Sequence, residues 1–534
     1  RAPARRPPEG RRRAASFRAC GIGIVRALRL QWIDPDPTDE PAVNPSPTAR
    51  TSLGTLRGAA EGEVLVFRGV PYAAPPVGPL RFQPPRPATP WTGELDATRD
   101  GPIPPQPPSR LRAAMGDFER PQSEDCLTLT ITTPAADGAR RPVMVFLHGG
   151  AFWTGAGSLS WYGGGPLARH GDVVVVGVNH RLGALGFMHL PGVAEPNLGL
   201  HDQIAALDWV AAEIAAFGGD PDNVTVFGQS AGGLSVLAML GIPKARARFR
   251  RAVVQSAPFG RMLRSRADAA AIGAAMQREL GLADAAGWTD VPVERITAAQ
   301  LVVARSMAGF ANTAPPFIPV ADHVLLGDDV IGAAVAGAME RDLIVGFTRD
   351  EMAAFFAPVP EMATAPDAAV RGVFARHFGG AADEALAEYR QRARLPGPGG
   401  LLGEMLGDAS FAGGLWAFAE RMAALGRPVR AYRFDFAAPG NPFGACHCIE
   451  LPFCFGTLAD WSAPMLAGAD PEAAAALAAR MRDAWAAFAR DGDPTHAGLP
   501  DWPAHGESGE TMLFDATSRV VHDPAGRRRW RFWP

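Results

Sequence analysis

Cysteine is scarce in this chain of 534 residues: there are five, an odd number, and three of them fall between Cys446 and Cys454. That spacing does not describe a disulfide framework, so a reducing, cytoplasmic compartment is expected. Long apolar runs are missing too. The nearest, Asp172 to Met188, is broken by His180 and Arg181, and no stretch of about 18 residues is suited to crossing a membrane. Nor does either charge dominate. Lys plus Arg total 52 against 55 Asp plus Glu, a net charge of −3, which gives no general ground for a nucleic-acid partner or an acidic membrane surface. What is present is 47% apolar residues, enough for a globular chain with a large core. Length alone, at about 150 residues per domain, suggests three or four domains.

Residues 1–48 differ from the rest. Arg5, Arg6, Arg11, Arg12, Arg13 and Arg18 accompany a single early acid, Glu9, and a Pro-rich stretch follows from Asp34 to Pro47. No sustained apolar face exists there, so this segment is expected to be a basic, disordered extension. A secretory signal is the lesser alternative, because Arg26 and Arg29 interrupt the Cys20 to Leu30 run that would have to be its apolar core. Its arginines also mask a remainder more acidic than the overall charge suggests.

From residue 49 onward, apolar runs of strand length alternate with segments of helical period, which argues an α/β architecture. Val143–Leu147 and Val173–Val176 are continuously apolar, as strands covered on both faces should be, and Asn223–Phe227 and Leu343–Val345 read the same way. Ile204, Leu207, Val210, Ile214 and Phe217 recur at helical spacing and predict a helix ending at Gly218-Gly219.

Gly228-Gln229-Ser230-Ala231-Gly232 fits G-x-S-x-G, a pattern expected about 0.3 times by chance in so glycine-rich a chain. Its surroundings make it specific. A strand feeds into it, and a helix carrying Leu234, Leu237 and Leu240 leaves it before Gly241 and Pro243. So tight a turn brings backbone against backbone and admits only small residues beside the serine. The strand Val143–Leu147 in turn ends in His148-Gly149-Gly150-Ala151-Phe152, where glycines let backbone N–H groups face a developing oxyanion.

These residues resemble the type-B carboxylesterase/lipase family, the α/β-hydrolases that include the cholinesterases, and in particular a bacterial-type member without the N-terminal disulfide. The likeness is carried by Phe67-Arg68-Gly69-Val70-Pro71-Tyr72-Ala73, by Ser123-Glu124-Asp125-Cys126-Leu127, by Phe217-Gly218-Gly219-Asp220-Pro221 through the serine turn, and by Gly492-Asp493-Pro494 with Trp502-Pro503. It implies a single domain over residues 49–534, with a central, mostly parallel sheet covered by helices. It also implies a Ser230, Glu351, His447 triad, with Glu351 in Gly346-Phe347-Thr348-Arg349-Asp350-Glu351 and His447 in Gly444-Ala445-Cys446-His447. The oxyanion donors would be the N–H groups of Gly150, Ala151 and Ala231. The implied reaction is hydrolysis of small, largely apolar, uncharged carboxylic esters through an acyl-enzyme, with no metal or organic cofactor. Related acyl transfers on an amide, lactone, thioester or lipid ester share the same triad. A non-catalytic interaction protein of this fold is disfavoured, since such members usually lose the nucleophile. Oligomeric state is left open.

Departures from the family pattern narrow the reading further. Pro104 stands where secreted relatives carry the partner of Cys126. Gln229 replaces the glutamate of cholinesterases, and no tryptophan lies between Pro104 and Cys126, so a choline ester is not expected. Cys446, His447, Cys448 and Cys454 lack the spacing of a tetrahedral zinc site. Cys448 occupies a usual glycine position, which suggests a thiol near the site whose alkylation slows turnover. Arg81 with Glu124, and Arg181 with Asp202, are implied as structural ion pairs. Of Phe310, Phe317, Phe355, Phe356 and Phe411, most are expected to fill the core rather than line a pocket.

Overall fold

Eleven strands form one sheet, and its order explains where the site falls. In a computed structural model, which describes residues 46–259, 263–285 and 287–524, the strands are β1 (Ala59–Glu61), β2 (Val64–Pro71), β3 (Thr128–Thr133), β4 (Arg141–Leu147), β5 (Val174–Val178), β6 (Gly219–Gln229), β7 (Arg251–Gln255), β8 (Asp342–Thr348), β9 (Arg430–Phe434), β10 (Glu510–Phe514) and β11 (Arg519–His522). Across the sheet they run β11-β10-β9-β8-β7-β6-β4-β5-β3-β2-β1. The strands from β10 to β5 in that order are parallel, while β11 and the β3, β2, β1 end pair antiparallel. The α/β-hydrolase architecture expected from the sequence is therefore present. The basic extension lies outside the described residues as far as residue 45; the described residues from 46 onward group as one compact unit.

The continuous apolar runs become central strands for the reason anticipated. Val143, Val145 and Leu147 pack toward one face of the sheet, and Met144 and Phe146 toward the other, so each alternate residue meets a helical layer. Helix α1 (Leu198–Glu213) continues through a 3-10 turn at Ile214–Phe217 and stops at Gly218, whose φ of 78° suits a left-handed C-cap. Helix α2 (Ala231–Gly241) follows the serine turn and runs one residue further than its sequence signals suggest, through Gly241.

Register brings four strand ends level. Leu147 pairs with Gly228, Gln229 with Gln255, and Gln255 with Gly346, so the loops after β4, β6, β7 and β8 leave the same carboxyl edge side by side. Ligands of open α/β sheets bind at this edge.

Two buried ion pairs fasten the connecting segments. Arg181 grips Asp202 through Nε at 2.8 Å and Nη2 at 2.6 Å, while its backbone N–H donates to the same carboxylate at 3.1 Å. Arg81 pairs with Glu124 and donates to the carbonyls of Trp288, Thr289 and Val291. Both pairs match the structural role implied by the family likeness. Removing one partner strands a buried charge, which costs about 3–5 kcal/mol. Asp202→Ala should lower unfolding stability by that amount in a denaturant titration, and a loss under about 1 kcal/mol would show that the pair is structurally idle.

Candidate active site

Ser230 sits at φ 57°, ψ −120°, a conformation costly for a residue with a Cβ. The neighbours hold it there. Its N–H donates to the Gln255 carbonyl at 2.9 Å, and the turn is clamped from the opposite side by the end of β4. A Cβ on Gly232 would lie 1.8 Å from the Leu147 carbonyl oxygen, and one on Gly149 would lie 2.9 Å from the Gln229 carbonyl oxygen. The need for small residues is thus a direct consequence of two backbones in contact.

The same clamp shapes the loop after β4. Gly150, Ala151 and Phe152 all have positive φ, at 110°, 59° and 58°. Trp153 and Thr154 both donate their N–H groups to the Gly150 carbonyl at 3.0 Å, which tightens the turn. The N–H groups of Gly150 and Ala151 have no acceptor among the described residues. His148 braces this loop, donating from Nδ1 to the Gly149 carbonyl at 2.7 Å and stacking on His180 with ring centroids 4.7 Å apart. Burial, reinforced by the neighbouring imidazole, pushes the His148 pKa down to about 3; burial pushes that of His180 down to about 4. Both rings are neutral near pH 7.

Glu351 and His447 meet deep beneath the carboxyl edge. The imidazole donates from Nδ1 to Glu351 Oε2 at 2.5 Å, and Glu351 Oε1 accepts from the Thr348 N–H at 2.9 Å. Phe411 and Phe355 flank the imidazole, with ring centroids at 4.9 and 5.6 Å. His447 Nε2 therefore carries the free lone pair. Its hydrogen-bond partner here is the Gln229 side-chain amide, at 3.2 Å, rather than the Ser230 hydroxyl. Gln229 in turn accepts from Cys448 Sγ at 3.4 Å.

Ser230, His447, Gly150 and Ala151 line one crevice with Leu111, Met115, Phe118 and Trp161. A larger cavity of about 620 Å³ shares Ser230 and Ala151 with it. The sequence-predicted serine, base and loop glycine are thus brought together, with Glu351 behind the base; Ala231 follows as the first residue of α2. A separate cavity of about 650 Å³, bordered by Arg349, Asp350 and Arg394, contains none of the nucleophile, the base or the donor loop.

Several expectations change here. Phe310 and Phe355 border the cavities at Ser230, against the core assignment, and Phe411 does both, buried in a core cluster while bordering the larger cavity; Phe317 is core and stacks on Trp153, and Phe356 is buried and borders the separate cavity. Their chain segments hug the cavity, and spacing alone carries no sign of that. An aromatic wall exists after all, built from Phe118 and from Trp161, the latter stacked on Trp461 at 4.6 Å. It arises from segments that sequence spacing did not connect. Cys448 lines the same crevice as Ser230, at φ 75°, as expected of a thiol near the site, and burial raises its pKa well above the ordinary value. Cys126, Cys446, Cys448 and Cys454 are buried free thiols, and among the described residues no cluster could hold a metal ion.

The fold is that of an α/β-hydrolase, with a strained serine turn and a His–Glu pair at its carboxyl edge. Comparison with known proteins is more specific. The Carboxylesterase family model matches residues 45–533. The chain is 40% identical to phenmedipham hydrolase of Pseudarthrobacter oxydans, over 90% of this chain and 97% of that protein. It is 36% identical to para-nitrobenzyl esterase of Bacillus subtilis, over 91% and 98%. Carboxylesterase EST55 of Geobacillus stearothermophilus superposes with a TM-score of 0.81 at 36% identity, covering 91% of this chain and all of that one. The chain belongs to the carboxylesterase family, and it is a carboxylic-ester hydrolase acting on a small-molecule ester. Among the described residues no helix is long and apolar enough to cross a membrane.

Glu450, three residues past His447, is fully buried, and its pKa is pushed up to about 8, first by desolvation and then by the charge of Glu351. The fold thus favours the protonated carboxyl. Its contribution is fully present below the ordinary value of 4.5 and is lost as pH rises through about 8. Wild type should therefore lose thermal stability relative to Glu450→Gln between pH 5 and 8; parallel melting profiles of the two proteins would refute this.

Proposed function

We propose that Ser230 is the nucleophile, His447 the general base and Glu351 the group that orients the base. The observation that carries this reading is the 2.5 Å bond from His447 Nδ1 to Glu351 Oε2, with His447 and Ser230 lining the same crevice. Donation from Nδ1 fixes the tautomer whose Nε2 can accept a proton. When an ester displaces the Gln229 amide from Nε2, Ser230 Oγ attacks the carbonyl carbon and its proton passes to Nε2. The carbonyl oxygen takes up the negative charge, and the N–H groups of Gly150, Ala151 and Ala231 meet it. Collapse expels the alkoxide, which takes the proton from Nε2 and leaves an acyl-Ser230 ester. Water then repeats the sequence, releasing the carboxylic acid and restoring the serine.

The narrow crevice supports an apolar group on one side of the scissile bond, since Leu111, Met115, Phe118, Leu159 and Trp161 line it. A choline ester is disfavoured because Arg110 borders the same space and repels a cation. A cytoplasmic site of action belongs to the same proposal, supported by the buried free thiols. Cell fractionation tests that point.

Turnover of p-nitrophenyl butyrate is the direct assay. Ser230→Ala should lose about 10⁴-fold or more in kcat, and Glu351→Gln a comparable share through the wrong tautomer. A serine variant within tenfold of wild type would sink the assignment. The domain boundary is tested separately: deleting residues 1–48 should leave kcat/KM within about twofold, because the proposed catalytic domain spans 49–534. Loss of activity would place part of the domain in the removed segment.

A further inference from the structure

Among the described residues, the larger cavity at Ser230 is bordered by two arginines, Arg110 and Arg376, and by no aspartate or glutamate. Arg110 makes one hydrogen bond to the protein, from Nη1 to the Thr313 carbonyl at 2.8 Å, and uses one of its five N–H donors in doing so. Among the described residues neither arginine has a carboxylate within ion-pairing distance. The separate cavity near Asp350 shows the contrast. There Arg349 meets Asp350 at 2.9 Å, and Arg394 meets Asp350 at 3.4 Å and Glu404 at 3.5 Å, so the positive charge is cancelled within the wall.

Position singles out Arg110. It borders both the crevice and the larger cavity, together with Ser230, Ala151 and Phe355, and so stands where the two spaces join at the nucleophile. The side chain is exposed at the rim of these spaces, and partial desolvation there lowers its pKa from the ordinary value. A guanidinium nevertheless keeps its proton. A cation at the mouth of a cavity and without a counter-charge favours an anion entering that cavity, and its planar fork matches a carboxylate in two parallel hydrogen bonds.

We propose that this cavity receives a carboxylate carried by the substrate, with Arg110 as its principal partner and Arg376 as the second. The substrates are then esters bearing a carboxylate away from the scissile bond, such as half-esters of dicarboxylic acids or acyl esters of hydroxybenzoates. Their apolar part occupies the crevice. The inference rests on the ester-hydrolase reading and replaces, at one end only, the uncharged substrate expected from the sequence.

Paired probes test it on the full-length protein. One pair places the charge on the acyl side, mono-(4-nitrophenyl) adipate against its methyl ester; the other places it on the alcohol side, 4-carboxyphenyl butyrate against its methyl ester. The neutral member of each pair is the internal reference, and the quantity read is the ratio of kcat/KM for anionic over neutral substrate. In at least one pair that ratio should fall about tenfold in Arg110→Gln, the loss expected for a charge-assisted hydrogen bond. It should fall less in Arg376→Gln, recover in part in Arg110→Lys, and decline with added salt in wild type. Ratios that stay within about twofold across wild type and both glutamine variants, in both pairs, overturn the inference while leaving ester hydrolysis intact. Absence of turnover of every neutral ester overturns the ester reading itself and this inference with it.

Discussion

The contact between the Gly232 backbone and the Leu147 carbonyl is the constraint on which the site depends. It packs the serine turn against the end of β4, so the proposed nucleophile and the loop of candidate oxyanion donors are held at one fixed spacing. Ser230 cannot relax from its positive φ without breaking the bond to Gln255 and opening that contact. Strain of this kind, of order 1–3 kcal/mol, persists only where surrounding packing over-determines it. Here the parallel strands β4, β6 and β7 supply the packing, with their ends held level by register.

Around the imidazole of His447 the protein is sparing with charge. Glu351 is the carboxylate that touches it, while Gln229, Phe355 and Phe411 are neutral and Glu450 is kept largely protonated at neutral pH. A second ionised carboxylate this close would favour a permanently protonated base, unable to take the serine proton. The neutral His148 and His180 pair extends the same economy to the donor loop, where rigid uncharged rings fix the backbone without adding a competing field.

Much of this was legible in the sequence because it depends on local rules. The apolar runs at Val143–Leu147 and Asn223–Phe227 could hardly be other than covered strands, and the small residues around Ser230 report a backbone contact directly. Glu351 and His447 lie 96 residues apart, so their meeting came only from likeness to a family and not from periodicity. The cavity walls were illegible for a different reason. Phe310, Arg376 and Phe411 sit on segments between distant strands, where no hydrogen-bond ladder sets the spacing, and Arg110 resembles any other exposed arginine until the cavity is seen. The aromatic wall at Trp161 was missed likewise, since it is completed by Trp461 from the far end of the chain.

That division between strand-anchored chemistry and loop-borne walls has a consequence for how such an enzyme can change. The groups proposed to make and break bonds hang from the ends of β4, β6 and β8, or from the loop after β9, and are fixed by register. The groups that touch the rest of a substrate come largely from segments outside the sheet, around residues 109–118, 309–314 and 373–411. A substitution in those segments can redraw what fits while leaving the core untouched. Stability and selectivity are thus written in largely separate residues, which makes the scaffold readily evolvable toward new esters.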